Sequence, residues 1–221
     1  MAVTAGVVLR RGLQGENDRL CVLYTADYGK LPVRFPGVNR PRGKLKALSE
    51  PLVLGEYRLH MRAGGPASPA AVLCVGGALT TAFPRLRSDL GRLLRGLELC
   101  EMVDRLTPVG APNAEKFSLL CSALDELERS STPSAAAWVC AAFALRLLRE
   151  AGFGVTELPV SPRRRPLWER LHHADLAEVA RLGEDEALSR LESYLLRSVE
   201  RVSERPLRAF RMRAQLSTAR N

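Results

Sequence analysis

Residues 56–62 alternate strictly: Tyr57, Leu59 and Met61 are apolar, while Glu56, Arg58, His60 and Arg62 are polar. Successive strand side chains point to opposite faces, so this segment can bury one face and leave the other polar and partly cationic. Beyond Pro84 the pattern changes, and Leu90, Leu93, Leu94, Leu97, Met102, Val103 and Leu106 recur close to helical spacing. A chain that switches once from the strand period to the helix period is predicted to be α+β, with a β module of residues 1–80 and an all-helical module of residues 81–221.

Within the first module, residues 3–9 read as a strand with a charged exit at Arg10, Arg11 and Gly12. Residues 20–25 form a short continuous apolar run, and Asp27, Tyr28 and Gly29 supply turn chemistry before residues 30–35, which makes a hairpin. Residues 71–75 offer a fifth strand ahead of Gly76 and Gly77. Five short strands in so few residues suit a small closed barrel.

In the second module Ser88 is a plausible N-cap, and Thr107 with Pro108 stops the helix that follows. Asn113 can cap a second helix carrying Phe117, Leu120, Leu124 and Leu127. A third runs over 134–152, with Gly152 just past its end. The segment 155–166, with three prolines and Arg163, Arg164 and Arg165, reads as an exposed loop. Helical pattern resumes over 167–182 and restarts after Gly183, where Glu184, Asp185 and Glu186 favour a helix N-terminus. Pro206 bends or ends that helix, leaving residues 207–213 as a basic tail.

The formal charge of +9 is unevenly spread. Residues 1–80 hold 11 Lys or Arg against 5 Asp or Glu, residues 81–160 hold 9 against 10, and residues 161–221 hold 13 against 9. Two basic ends flank a neutral middle, a distribution that attracts polyanions by counterion release. The five cysteines are far apart in apolar surroundings with no Cys-x-x-Cys pair. They are expected as reduced, buried thiols in a cytoplasmic protein. No secretory leader and no apolar run long enough to span a bilayer is evident.

Catalytic chemistry finds little support. His172 and His173 are adjacent on a predicted helix, where consecutive side chains diverge by roughly 100°. Glu169 with His172 has di-iron spacing but lacks the further ligands such a site needs. No phosphate-binding glycine loop and no nucleophile elbow is present, so neither a catalytic residue, a metal nor a cofactor is expected.

Binding chemistry is better represented. Arg10, Arg11, Arg19, Lys30, Arg34, Arg40, Arg42, Lys44 and Lys46 all fall in the β module, the last four on a loop with Pro41 and Gly43 that could follow a phosphate backbone. Tyr24, Tyr28, Phe35 and Tyr57 read either as stacking platforms for bases or as core. Arg205, Arg208 and Arg211 at the carboxyl end read either as a second phosphate track or as a solubilising tail.

These residues come in an order that resembles the RecO family of recombination mediators. The resemblance rests on Gly6 to Leu9, Glu16 to Leu20, Tyr28 to Leu31, Gly37 before Arg40, Glu50 to Leu52, Phe83 to Leu90, Phe143 to Leu148 leading to Phe153, and Arg205 to Arg211. It implies an OB barrel at the amino end and a non-catalytic mediator that binds single- and double-stranded DNA. Such a mediator anneals complementary strands, engages the acidic tail of single-strand-binding protein and works with RecR to load RecA, in the cytoplasm at the nucleoid. Many family members carry a four-cysteine zinc module after the position of Gly152. This chain has no cysteine there, so no zinc is expected. Alanines stand before Phe143 where some relatives have arginines, and Arg146 with Arg149 are the substitutes expected for partner binding. The alternatives are a non-catalytic protein-interaction scaffold and an RNA-binding OB protein.

Overall fold

One strand, β1 (Ala2–Gln14), is long enough to pair twice. Its first half lies antiparallel to β4 (Leu54–Met61) and its second half to β2 (Asp18–Thr25), with Gly6 and Val7 paired to both. The register shifts between Val8 and Arg10, a bulge that bends the strand from one partner to the other. With β3 (Gly29–Phe35) and β5 (Val72–Thr81) the strands close in the order β1-β2-β3-β5-β4. The result is a five-stranded OB barrel at the amino end, followed by helices. The structure is a computed structural model and describes residues 1–40, 43–61, 72–154, 164–186 and 188–218.

The alternation of residues 56–62 works as expected where it is described: Tyr57 and Leu59 are fully buried, and Met61 packs partly against them. Val8, Leu23, Leu31, Val33, Phe35 and Val72 complete the barrel interior, where Phe35 meets the edge of Tyr57 with ring centroids 6.1 Å apart. Tyr24, Phe35 and Tyr57 are therefore core, which removes them as stacking platforms.

Two strands run further than their sequence pattern indicates. Residues 10–14 pair with 18–22 of β2 and do not leave the sheet after Leu9. β5 continues through Gly76 and Gly77, which act as close-approach positions and not as breakers. A Cβ on Gly77 would stand 2.4 Å from the Glu56 carbonyl oxygen, and one on Gly76 would meet the Arg58 guanidinium at 3.0 Å.

Eight α-helices are described: α1 (Pro84–Ser88), α2 (Leu90–Leu106), α3 (Ala114–Arg129), α4 (Pro133–Glu150), α5 (Arg165–His173), α6 (Leu176–Ala180), α7 (Leu188–Ser203) and α8 (Arg208–Thr218). The chain divides into two compact units, Met1–Phe83 with Val103–Cys121, and Pro84–Met102 with Ser122–Asn221. Residues 103–121, expected with the helices, thus group with the barrel. Lys30 explains part of this: its carbonyl accepts from the Gly110 N–H at 2.9 Å, and Tyr24 Oη donates to the Asn113 carbonyl at 3.3 Å.

In the helical unit α4 is buried nearly all round, from Ala135 to Leu145 without a break. Its alanines let neighbouring helices approach. Thr132 caps it, accepting from the Ala135 N–H at 3.1 Å, and Pro133 opens the first turn. It closes as the sequence indicates: Gly152 has φ +84°, and the Phe153 N–H reaches back to the Leu148 carbonyl at 2.9 Å in a Schellman motif.

The helix expected over 167–182 is two helices. Asp175 starts α6 by accepting from the Ala177 N–H at 3.0 Å, while Arg146 satisfies carbonyls at the end of α5. Residues 207–213, expected as a tail, belong largely to α8, with Leu207 and Ala209 buried. The expected loop 155–166 lies mostly outside the described residues.

Candidate nucleic-acid interface

At one rim of the barrel the β1–β2 turn meets the segment leaving β3. Asp18, at the start of β2, holds the two together. Its carboxylate accepts from the Gly37 N–H at 2.8 Å and from Arg34 Nε at 2.7 Å, with Arg34 Nη2 2.5 Å away. The Gly37 amide, and then Arg34, lower the Asp18 pKa. Gly37 can present its amide here because its φ is +65°, a left-handed conformation that a side chain disfavours. Asn39 adds a second clasp, donating to the Asn17 carbonyl at 3.1 Å through its backbone and to the Glu16 carbonyl at 3.2 Å through its side chain.

Arg19 anchors the far end of the same loop from inside. Only 8 % exposed, it donates to Asn39 Oδ1 at 3.2 Å, Ser49 Oγ at 2.9 Å and Glu50 Oε1 at 2.7 Å. Ser49 Oγ in turn donates to the Lys46 carbonyl at 2.8 Å. The loop that carries the basic run is thereby held at both ends.

The expected phosphate contacts separate into three groups. Arg40, Lys44 and Lys46 are exposed, and no ion pair with another described residue engages them. Arg34, Arg11 and Arg10 are exposed but paired, Arg34 with Asp18, Arg11 with Glu50 at 2.6 Å and Arg10 with Asp104 at 2.7 Å. Arg19 and Lys30 are turned inward, Lys30 bonding the Asp104 carbonyl with its ammonium 3.3 Å from the Asp104 carboxylate. Arg42 lies outside the described residues. Asp18, Arg34, Gly37 and Arg40, with Glu16 and Asn17, line an open cleft of about 540 Å³.

In the helical unit Arg205, Arg208 and Arg211 are all exposed, Arg211 lying 3.3 Å from Glu200. Of the two expected partner contacts, Arg149 is exposed beside Glu150, whereas Arg146 donates to the Leu171 and Ala174 carbonyls.

Sequence reasoning missed a buried charge cluster in this unit. Glu98 of α2 and Glu192 of α7 face Arg95 of α2 and Arg213 of α8. Arg213 reaches Glu98 at 2.6 Å and Glu192 at 3.0 Å, and Arg95 pairs with Glu192. Cys140 joins them, so that Glu98, Cys140 and Glu192 bring ligand-type atoms within 4.8 Å of one another. Both carboxylates are already held by guanidinium groups, and burial pushes the Cys140 thiol up to about 12, so the set works as an ion-pair cluster and does not fit a cation. The ion pairs between helices join residues 21, 97 and 115 positions apart along the chain, separations that no local pattern reveals.

Among the described residues no helix is long and apolar enough to cross a membrane. Two family models match the chain: Recombination protein O N terminal over residues 1–66, and Recombination protein O C terminal over residues 87–158. Similar curated proteins include the DNA repair protein RecO of Pelobacter propionicus, 31 % identical over 52 % of this chain and 44 % of the relative. That of Desulfitobacterium hafniense is 30 % identical over 66 % of this chain and 50 % of the relative, and that of Anaeromyxobacter dehalogenans is 32 % identical over 68 % and 57 %. The chain spans about half the length of the curated relatives it matches.

Proposed function

The chain belongs to the RecO family, whose similar members are named DNA repair proteins, and from that premise we propose that it is a non-catalytic recombination mediator. It binds single- and double-stranded DNA and brings complementary strands together. Working at the nucleoid with RecR and single-strand-binding protein, it helps load RecA.

The observation that supports this most is the pinned basic loop: Arg40, Lys44 and Lys46 are exposed on a segment held at both ends by Asp18, Asn39, Arg19 and Ser49. Ends fixed before the ligand arrives lose less entropy on binding. The loop's cations gain affinity by releasing counterions from the phosphate backbone. Annealing follows from the same physics, because a surface that holds two backbones lowers their mutual repulsion. Arg205, Arg208 and Arg211 give the helical unit exposed cations of its own, and Arg149 is the exposed cation available to an acidic peptide tail.

The test is fluorescence anisotropy of labelled single-stranded DNA over a salt series, followed by annealing of complementary strands. Replacing Arg40, Arg42, Lys44 and Lys46 together with Gln is expected to weaken binding and to flatten the log–log salt slope by about 2 to 3, near 0.7 per lost contact. Binding unchanged by the four substitutions removes the loop from the interface. Absence of wild-type binding at low salt shifts the weight to the scaffold reading.

A further inference from the structure

Asp18 is an acid between two arginines, Arg34 and Arg40, and it is held by a backbone amide as well as by a guanidinium. One oxygen takes the Gly37 backbone N–H at 2.8 Å, the other takes Arg34 at 2.7 and 2.5 Å, and Arg40 stands near enough to lower the acid's pKa further. A backbone amide in a left-handed turn, a guanidinium and a second arginine are the donors that hold a phosphate oxygen. The seat opens directly onto the cleft that Glu16, Asn17 and Arg40 help to line. Arg40 lies along the space a Gly37 side chain would need, with its Cδ 3.6 Å from that Cβ position.

We infer that Asp18 is a built-in competitor for a phosphate seat formed by Arg34, the Gly37 amide and Arg40, and that a phosphodiester group of single-stranded DNA displaces it. This rests on the nucleic-acid reading above and adds a regulation of that site. The carboxylate keeps Gly37 and Arg34 positioned while the site is empty, and it lowers affinity by holding Arg34. Arg34 is 44 % exposed, and ion pairs of that exposure exchange readily.

The experiment uses the full chain with Asp18→Asn, Arg34→Gln and the double variant. Asparagine keeps an oxygen for the Gly37 N–H, so the turn survives while the negative charge goes. Asp18→Asn is expected to bind single-stranded DNA about two- to fivefold more tightly at low salt, with a salt slope steeper by about 0.7. In the Arg34→Gln background the same change is expected to gain clearly less, because only the competition at the Gly37 amide and Arg40 remains. The Gly37 amide resonance of the wild type is expected to move as DNA is titrated in, because its acceptor changes. Asp18→Asn binding equal to or weaker than wild type, or a Gly37 resonance that stays fixed while wild type binds, overturns the competitor role and leaves the DNA-binding reading standing. No wild-type binding at all overturns both.

Discussion

Arg213 of α8 donates from Nε to Glu98 of α2 at 2.6 Å, and the carboxylate it grips is fully buried. Removing one partner from such a pair leaves a charge in low dielectric with nothing to replace its hydration. Arg213→Ala is expected to destabilise the helical unit by about 3–5 kcal/mol, read from urea unfolding. Arg211→Ala, two residues away on the exposed face, should stay within about 0.5 kcal/mol of wild type. Pairing Arg213→Met with Glu98→Leu should recover most of the loss, since the Arg95–Glu192 pair remains balanced.

Arg19 and Arg40 both belong to the basic β module yet have different work. Arg19→Ala is expected to lower barrel stability by about 2–4 kcal/mol, because Glu50, Ser49 and Asn39 lose a buried donor. Arg40→Ala should leave the melting temperature unchanged and weaken DNA binding directly. Equal stability for the two variants would refute this division.

Gly29 opens β3 with φ +64°, and a Cβ there would stand 2.2 Å from the Ala111 carbonyl oxygen. Backbone strain and a clash with main chain act together, so Gly29→Ala is expected to cost about 2–4 kcal/mol. Gly15→Ala makes the control: it shares a positive φ, +67°, but nothing lies within 4 Å of its Cβ position, and its loss should be only about 1 kcal/mol.

Burial pushes the Cys21 and Cys140 thiols up to about 12 and Cys74 up to about 11. Cys100 is buried as well, and Cys121 is partly exposed. A thiol reagent such as DTNB near pH 8 should therefore show one fast phase, lost in Cys121→Ser, with the remaining thiols reacting only on unfolding. A fast phase that survives Cys121→Ser would contradict the buried placements.

Local regularities are legible in the order of the residues. The inward face of Tyr57 and Leu59, the change of period at Pro84, the hairpin turn at Gly29 and the helix end at Gly152 all depend on residues within one or two turns of chain. Those features suffice for a barrel followed by helices. They also locate the basic loop, since charge clustered near turns can be read directly.

What the sequence alone determined is thus the element types, their order and where cations concentrate, because strand alternation, helical periodicity and turn chemistry are set by neighbours. Which arginines face solvent was decided only in three dimensions. Arg19 is spent on Ser49 and Glu50, 30 and 31 residues away, and Arg213 on Glu98, 115 residues away. The sheet continues through Gly76 and Gly77 because Arg58 and Glu56 crowd against them from the neighbouring strand. The physical reason is common to all three cases: a charge or a missing side chain carries no address for its partner, and the partner exists only once distant segments have packed.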